Sequence, residues 1–254
     1  NRYIDRIDHS LSEKDEGIAD AMNKGLSLAT GDYVLFLQAD DYFKRPDSLE
    51  QALSYVGDSD LIACDVEFGR SFSLHRPRGF TFWLNFKGLP HQGIICRRDL
   101  LNALSGFDRQ FRICMDYDFL LRAYRRGARL VKAPVTLTVM RDTGISSRRG
   151  WPDLKNRFAE ERMAHEKNCP PGPMRLLYWL YWLLYLPFLV GLLLGIGVWA
   201  GLSIGTPQWA WRHAPQLVLG PWRALVPAGV LLLLAFIGAE RIGRARRATL
   251  LWLL

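Results

Sequence analysis

The chain has 254 residues, 49% of them hydrophobic and 23% charged, with a formal net charge of +8. That balance excludes a disordered chain and a uniformly membrane-buried one, and the length suits one full domain with an appendage. Residues 1–175 hold 27 Lys and Arg against 24 Asp and Glu, whereas residues 176–254 hold 6 against 1; the basic surplus therefore gathers around an apolar tail, which points to a membrane surface and away from nucleic acid.

Residues 17–30 predict an amphipathic helix with Ile18, Ala21, Met22 and Ala29 near one face, ended by Gly31-Asp32. Tyr33 to Gln38 is an apolar run that suits a buried strand covered on both faces. Two carboxylates, Asp40 and Asp41, follow at once, and Pro46-Asp47 opens a helix reaching about Val56. Leu61 to Cys64 is a second strand. The basic, aromatic stretch from Gly69 to Pro90 reads as a loop region, Gln92 to Cys96 as a third strand, and Arg98 to Leu104 as a short helix closed by Gly106. Met115 to Arg126 predicts a helix with Leu120, Leu121 and Tyr124 inward and Arg122, Arg125 and Arg126 outward, stopped by Gly127. A strand from Leu130 to Val139, interrupted by Pro134, and a polar amphipathic helix from Trp151 to Glu166 complete the alternation, which argues for an α/β layer fold. Cys64, Cys96, Cys114 and Cys169 form no Cys-x-x-Cys pair and read as free thiols of a reducing compartment.

The run Pro170-Pro171-Gly172-Pro173 marks a change of composition. Beyond it, Leu176 to Ile204 carries no charge, and as a helix it measures roughly 43 Å against a bilayer core of about 30 Å. Tyr178, Trp179, Tyr181, Trp182 and Tyr185 suit an interfacial belt at its start. A second apolar run, Leu217 to Ala239, has only Arg223 near its beginning. Two transmembrane helices, 176–204 and 217–239, are expected. Arg175 on one side and Arg241, Arg244, Arg246 and Arg247 on the other set both ends in the cytoplasm. The expected organisation is a catalytic domain at 1–168, a linker at 169–175 and an anchor at 176–254, located at the inner membrane with the domain facing the cytoplasm.

Adjacent carboxylates at the end of a buried strand repel each other unless a cation or donor compensates. Taken alone, the pair Asp40-Asp41 reads first as a solvated turn. In an open α/β sheet it also stands where ligands bind, and Mg²⁺ or Mn²⁺ with phosphate oxygens as co-ligands would satisfy it.

The pair has company. The block Ser12-Glu13-Lys14-Asp15-Glu16-Gly17-Ile18-Ala19-Asp20-Ala21-Met22-Asn23-Lys24-Gly25, then Gly31-Asp32-Tyr33, then Gln38-Ala39-Asp40-Asp41, resembles family 2 glycosyltransferases of the bacterial polysaccharide-assembly branch. His91-Gln92-Gly93, Gly106-Phe107-Asp108, Met115-Asp116-Tyr117-Asp118 and Gly144-Ile145-Ser146 continue the likeness over about residues 11–150. The resemblance implies a GT-A fold with a Rossmann-like sheet, here incomplete at the N-terminus because the family's first strand–helix–strand unit has no counterpart before Ser12. Weak or absent activity is expected of the chain for that reason.

The resemblance further implies Asp41 as ligand of a Mn²⁺ or Mg²⁺ cofactor on the donor diphosphate, Asp40 on the ribose or the same metal, and Asp116 as the catalytic base. It implies supporting roles near the nucleotide for Asp15, Asp20, Asn23 and Lys24. His91 is expected at the donor diphosphate or the acceptor, and Arg148-Arg149 either grip phosphate or form a solvated turn. The implied activity is inverting transfer of a sugar from a nucleotide-diphosphate sugar to a saccharide or lipid-linked saccharide acceptor in cell-envelope polysaccharide synthesis. A polyprenyl-phosphate glycosyl synthase and a catalytically inactive membrane scaffold are the alternatives.

Overall fold

The computed structural model describes residues 7–38, 40–69, 72–141 and 151–184. The first of two units runs to Tyr178. Its strands are β1 (Tyr33–Leu35), β2 (Tyr42–Phe43), β3 (Leu61–Phe68), β4 (Ser73–His75), β5 (Ile94–Arg97) and β6 (Leu130–Met140). Its helices are α1 (Ile18–Leu28), α2 (Ser48–Leu53), α3 (Arg98–Ala103), α4 (Met115–Arg125) and α5 (Trp151–Lys167), with single 3₁₀ turns at Phe82–Asn85 and His91–Gly93.

The sheet order is β1-β5-β3-β6-β2, with β4 on the second half of β3. β3 and β6 run parallel, and the other pairs are antiparallel. The sheet is therefore mixed, not the uniformly parallel arrangement that alternating strands and helices suggest. β3 is central because Leu-Ile-Ala-Cys is apolar at every position and can be covered on both sides. Successive side chains point to opposite faces. Leu61 and Ala63 join a core with α1, α3 and α4, whereas Ile62 and Cys64 join a second core with Ile95, Val135, Leu137 and Ala52 of α2.

Several boundaries move. Tyr33 to Gln38 forms strand only to Leu35 and is half-buried, because β1 stands at the end of the sheet order. β3 runs on to Phe68, where β4, inside the stretch read as loop, gives it a partner. Pro134 does not break β6: it sits in a bulge of β6, where Ala133 pairs with Cys64 and Thr136 with Asp65, so Pro134 has no ladder partner on β3. On α1 the core face is Ala19, Met22 and Leu26, while Ile18 and Ala21 turn to a cavity described below. The buried thiols of Cys64 and Cys96 are pushed up to about 12 by loss of solvation, so both remain protonated.

Residues 174–184 are helical. No helix among the described residues is long and apolar enough to cross a membrane. Of the expected span 176–204 only the beginning is described, and the span 217–239 lies outside the described residues, as do Gly144-Ile145-Ser146 and Arg148-Arg149.

Candidate active site

The connection from β1 to β2 joins strands at opposite ends of the sheet order, and it carries Gln38, Asp40 and Asp41. It closes as a turn in which the Asp41 N–H donates to the Gln38 carbonyl at 3.1 Å. β2 then pairs with the end of β6, Phe43 opposite Thr138, and the Arg141 N–H donates to Asp41 Oδ1 at 3.2 Å. Asp41 Oδ2 is buried and has no hydrogen-bond partner among the described residues. A buried carboxylate oxygen left in that state is costly, and it fits a hard cation ligand. Among the described residues no cluster of three His, Cys, Asp or Glu is assembled. A cation at Asp41 would complete its shell from substrate phosphates and water, as Mg²⁺ and Mn²⁺ commonly do. Asp40 is the exposed member of the pair.

Opposite this turn lies the 3₁₀ turn His91–Gly93, which leads into β5. It sits tightly on β3: a Cβ on Gly93 would come within 2.5 Å of Val66 Cγ2 and 2.8 Å of the Cys64 carbonyl oxygen. The Thr138 hydroxyl holds it from the β6 side, donating to the Gln92 carbonyl at 3.0 Å. His91 Nδ1 is 3.1 Å from Asp116 Oδ2, and its Nε2 is 3.3 Å from Gln38 Nε2. An amide nitrogen can only donate, so Nε2 accepts from Gln38 and Nδ1 carries the proton donated to Asp116. The Asp41 main-chain N–H is thus held on the Gln38 main-chain carbonyl, the Gln38 side-chain amide on His91, and His91 on Asp116, a path that runs through the Gln38 residue.

Asp116 is the second residue of α4. Its Oδ1 accepts from the Tyr117 N–H at 2.8 Å, and its side chain is 24% exposed. Residue Cys114 supplies no side-chain cap to this helix. Glu160 of α5 fixes the loop that enters the helix: its carboxylate accepts from the N–H groups of Arg112 (3.0 Å), Ile113 (2.8 Å) and Cys114 (2.9 Å). The N-terminus that presents Asp116 is thus fixed by a residue far along the chain. Gln38 and Glu160 are the site's two members that sequence reasoning misses. Gln38 had a signal, its place three residues before Asp41. Glu160 had none, because nothing local distinguishes it from the other acids of a polar helix.

The remaining expected residues divide. Asp15 accepts from the Gly17 N–H at 3.0 Å and lines a cavity of about 470 Å³ with Ile18, Met22, Leu35 and Gln38. Asp15 therefore shares a wall with the Gln38–His91–Asp116 path. Asn23 does not: it donates to the Phe107 carbonyl (2.7 Å) and accepts from the Phe107 N–H (2.8 Å), so its amide serves to dock α1 on the loop after α3. Asp20 is buried, accepting from the Glu16 N–H at 3.1 Å and paired with Lys24 and Arg109 at 3.2 Å each; the Glu16 bond leads in holding its carboxyl below the usual range. Lys24 is taken by Glu13 and Asp20. Both nitrogens of His91, expected at the donor diphosphate or the acceptor, lie on protein partners, Gln38 and Asp116, which sets it beside Asp116. A larger cavity, about 690 Å³, opens on the other face of α1. Its cations are occupied, Arg122 by Asp118, Arg109 by Asp20 and Lys167 by Asp108, and it contains none of the path residues.

The model of the family described as Glycosyl transferase family 2 matches residues 2–128. The chain belongs to that family. The match ends before β6 and takes in every residue of the path together with Asp15. A PGL/p-HBAD biosynthesis glycosyltransferase of Mycobacterium tuberculosis is 35% identical over 127 residues, 46% of this chain and 47% of the relative. An amylovoran biosynthesis glycosyltransferase of Erwinia amylovora is 49% identical over 51 residues, 20% of this chain and 17% of the relative. The chain spans about half the length of the Mycobacterium relative it matches. The crystal structure of S. aureus TarS in complex with UDP-GlcNAc aligns over 64% of this chain and 51% of that one, with a TM-score of 0.50 and 18% identity. The family match and this likeness make the fold a mixed α/β, GT-A-like one.

Proposed function

We propose that this family member is an inverting glycosyltransferase that moves a sugar from a nucleotide-diphosphate sugar to a hydroxyl of a saccharide or lipid-linked saccharide. The observation that carries the reading is the path Asp41–Gln38–His91–Asp116, which ties an acidic pair fit for a diphosphate and its cation to a carboxylate fit to be a base. In this reading Asp116 takes the proton of the acceptor hydroxyl as that oxygen attacks the anomeric carbon. The new C–O bond forms on the face opposite the diphosphate. The old one breaks with its electron pair on the departing β-phosphate oxygen. The Tyr117 N–H and the His91 Nδ1–H each occupy one carboxylate oxygen of Asp116 and set its plane, and each oxygen keeps a lone pair for the incoming proton.

Asp41, with Asp40, would hold the Mn²⁺ or Mg²⁺, which when bound neutralises charge on the leaving nucleoside diphosphate. We place the donor along the cavity walled by Asp15, Leu35 and Gln38, whose volume is in the range of small-ligand sites. The uncharged run after Leu176 supports a membrane anchor of two spans with the domain on the cytoplasmic side. That anchor, with the biosynthetic names of the two bacterial relatives, supports a role in cell-envelope polysaccharide synthesis. The test is the anomeric configuration of the first product by NMR, together with Asp116→Asn. Inversion and a loss of about 10²- to 10⁴-fold in transfer are expected; retention, or transfer undiminished in Asp116→Asn, overturns the reading.

A further inference from the structure

The segment between β4 and His91 takes no part in the site, yet its chemistry is one-sided. From Phe72 to Lys87 it holds Arg76, Arg78 and Lys87 and no carboxylate. All three cations are exposed. Trp83, in the 3₁₀ turn, is 39% exposed, and the Arg78 guanidinium lies 5.8 Å from its ring centre. The opposite side of the same turn is buried through Leu84 and Asn85. Trp83 and its cations are thus held outward on a rigid base.

That base is also where the chain leaves the domain. The Tyr178 hydroxyl donates to Asn85 Oδ1 at 3.1 Å, and the Tyr178 ring stands 5.8 Å from Phe86, edge to face. Tyr178 lies at the start of the uncharged run, two residues after the exposed Leu176. Tyr178, the last residue of the first unit, is thus held beside the basic, aromatic turn.

We infer that Arg76, Arg78, Trp83 and Lys87 form a docking surface for an anionic phospholipid bilayer. Tryptophan prefers the headgroup level, where its apolar body and polar N–H are both served, and clustered Arg and Lys are drawn to anionic lipid. The inference rests on the membrane-anchor reading above and adds to it. A tethered domain could face the bilayer with any side, and this surface selects one. Four residues beyond Lys87 the chain reaches His91, and Gly88 lies against Tyr117, the neighbour of Asp116. Docking through this turn sets the base close to the lipid surface, where a lipid-linked acceptor presents its sugar. Nucleic acid is disfavoured by the near balance of charge over residues 1–175, 27 Lys and Arg against 24 Asp and Glu.

The full chain, reconstituted into nanodiscs of phosphatidylcholine alone or mixed with phosphatidylglycerol, is followed by amide hydrogen exchange over 72–87. Slower exchange in the mixed discs is expected, lost in about 1 M salt and lost in Arg78→Gln/Lys87→Gln. Trp83→Ser should weaken it in both lipids. Equal exchange in the two lipids, or protection unchanged in the variants, overturns the inference. So does protection by a single-stranded oligonucleotide at physiological salt in the absence of any lipid effect. Alkaline carbonate extraction of the same discs reports the spans separately. A chain released by carbonate ends the anchor reading, and the exchange comparison is then run on that chain with vesicles of the same two compositions.

Discussion

His91 uses its two ring nitrogens in opposite directions, Nδ1 toward Asp116 and Nε2 toward Gln38. This makes it a positioning residue whose loss differs in kind from loss of the base. Asp116→Asn keeps the shape but offers one acceptor oxygen where Asp116 offers two to the Tyr117 and His91 N–H groups, and it cannot accept a proton, so transfer falls by about 10²- to 10⁴-fold while nucleoside diphosphate binding is unchanged. His91→Phe leaves the base present but unoriented. We expect a fall of about 10-fold to 10²-fold, carried by kcat and not KM, with a changed pH profile of kcat/KM. Gln38→Ala, which frees the far nitrogen, should lie between wild type and His91→Phe when the three are compared under saturating donor. An unchanged rate in His91→Phe would mean that Asp116 holds its orientation through the Tyr117 N–H alone.

The elements that frame the site are set by contacts of long sequence reach. Glu160→Ala strips three N–H groups of the loop just before α4 of their acceptor. A loss of roughly 2–3 kcal/mol is expected, read as a lower urea midpoint at constant slope, together with reduced transfer because Asp116 rides on that helix end. Gly106→Ala tests the α1–α3 junction: φ is +64° there, and a Cβ would come within 2.3 Å of Asn23 Oδ1, so both the backbone and the Asn23–Phe107 clamp must yield. These contacts mark the limit of what was legible in the sequence. Helices α1, α3 and α4 stood out because their apolar residues and terminating glycines are local, and α2 because Pro46-Asp47 opens it. The acidic pair and Asp116 stood out because residue order carries them. The edge position of β1, the extension of β3 and the bulge at Pro134 did not, since each depends on which strand lies alongside. The Asn23–Phe107 clamp was not legible for the same reason: Phe107 is distant in sequence and contributes only backbone.

For the molecule as a unit, stability and function respond to pH through different groups. His165 is 2% exposed, bonded to the Tyr117 hydroxyl at 2.8 Å and stacked on Tyr178, and burial, with Arg125 nearby, lowers it from 6.5 to about 4. The folded chain therefore refuses a proton that the unfolded chain accepts. Stability contributed by keeping His165 neutral is whole above pH 6.5, is lost as pH falls toward about 4, and changes no further below that. The loss is on the order of 3 kcal/mol, and urea midpoints measured across this window should fall more steeply in wild type than in His165→Gln. The central claim, an acidic pair serving a cation and a diphosphate at the mouth of the sheet, is tested most directly by calorimetric titration of the chain with UDP and with GDP, each with and without Mn²⁺. Binding that requires Mn²⁺, that is lost in Asp41→Asn and that survives in Asp116→Asn is the predicted result. Binding of equal strength without Mn²⁺, or undisturbed by Asp41→Asn, would contradict it.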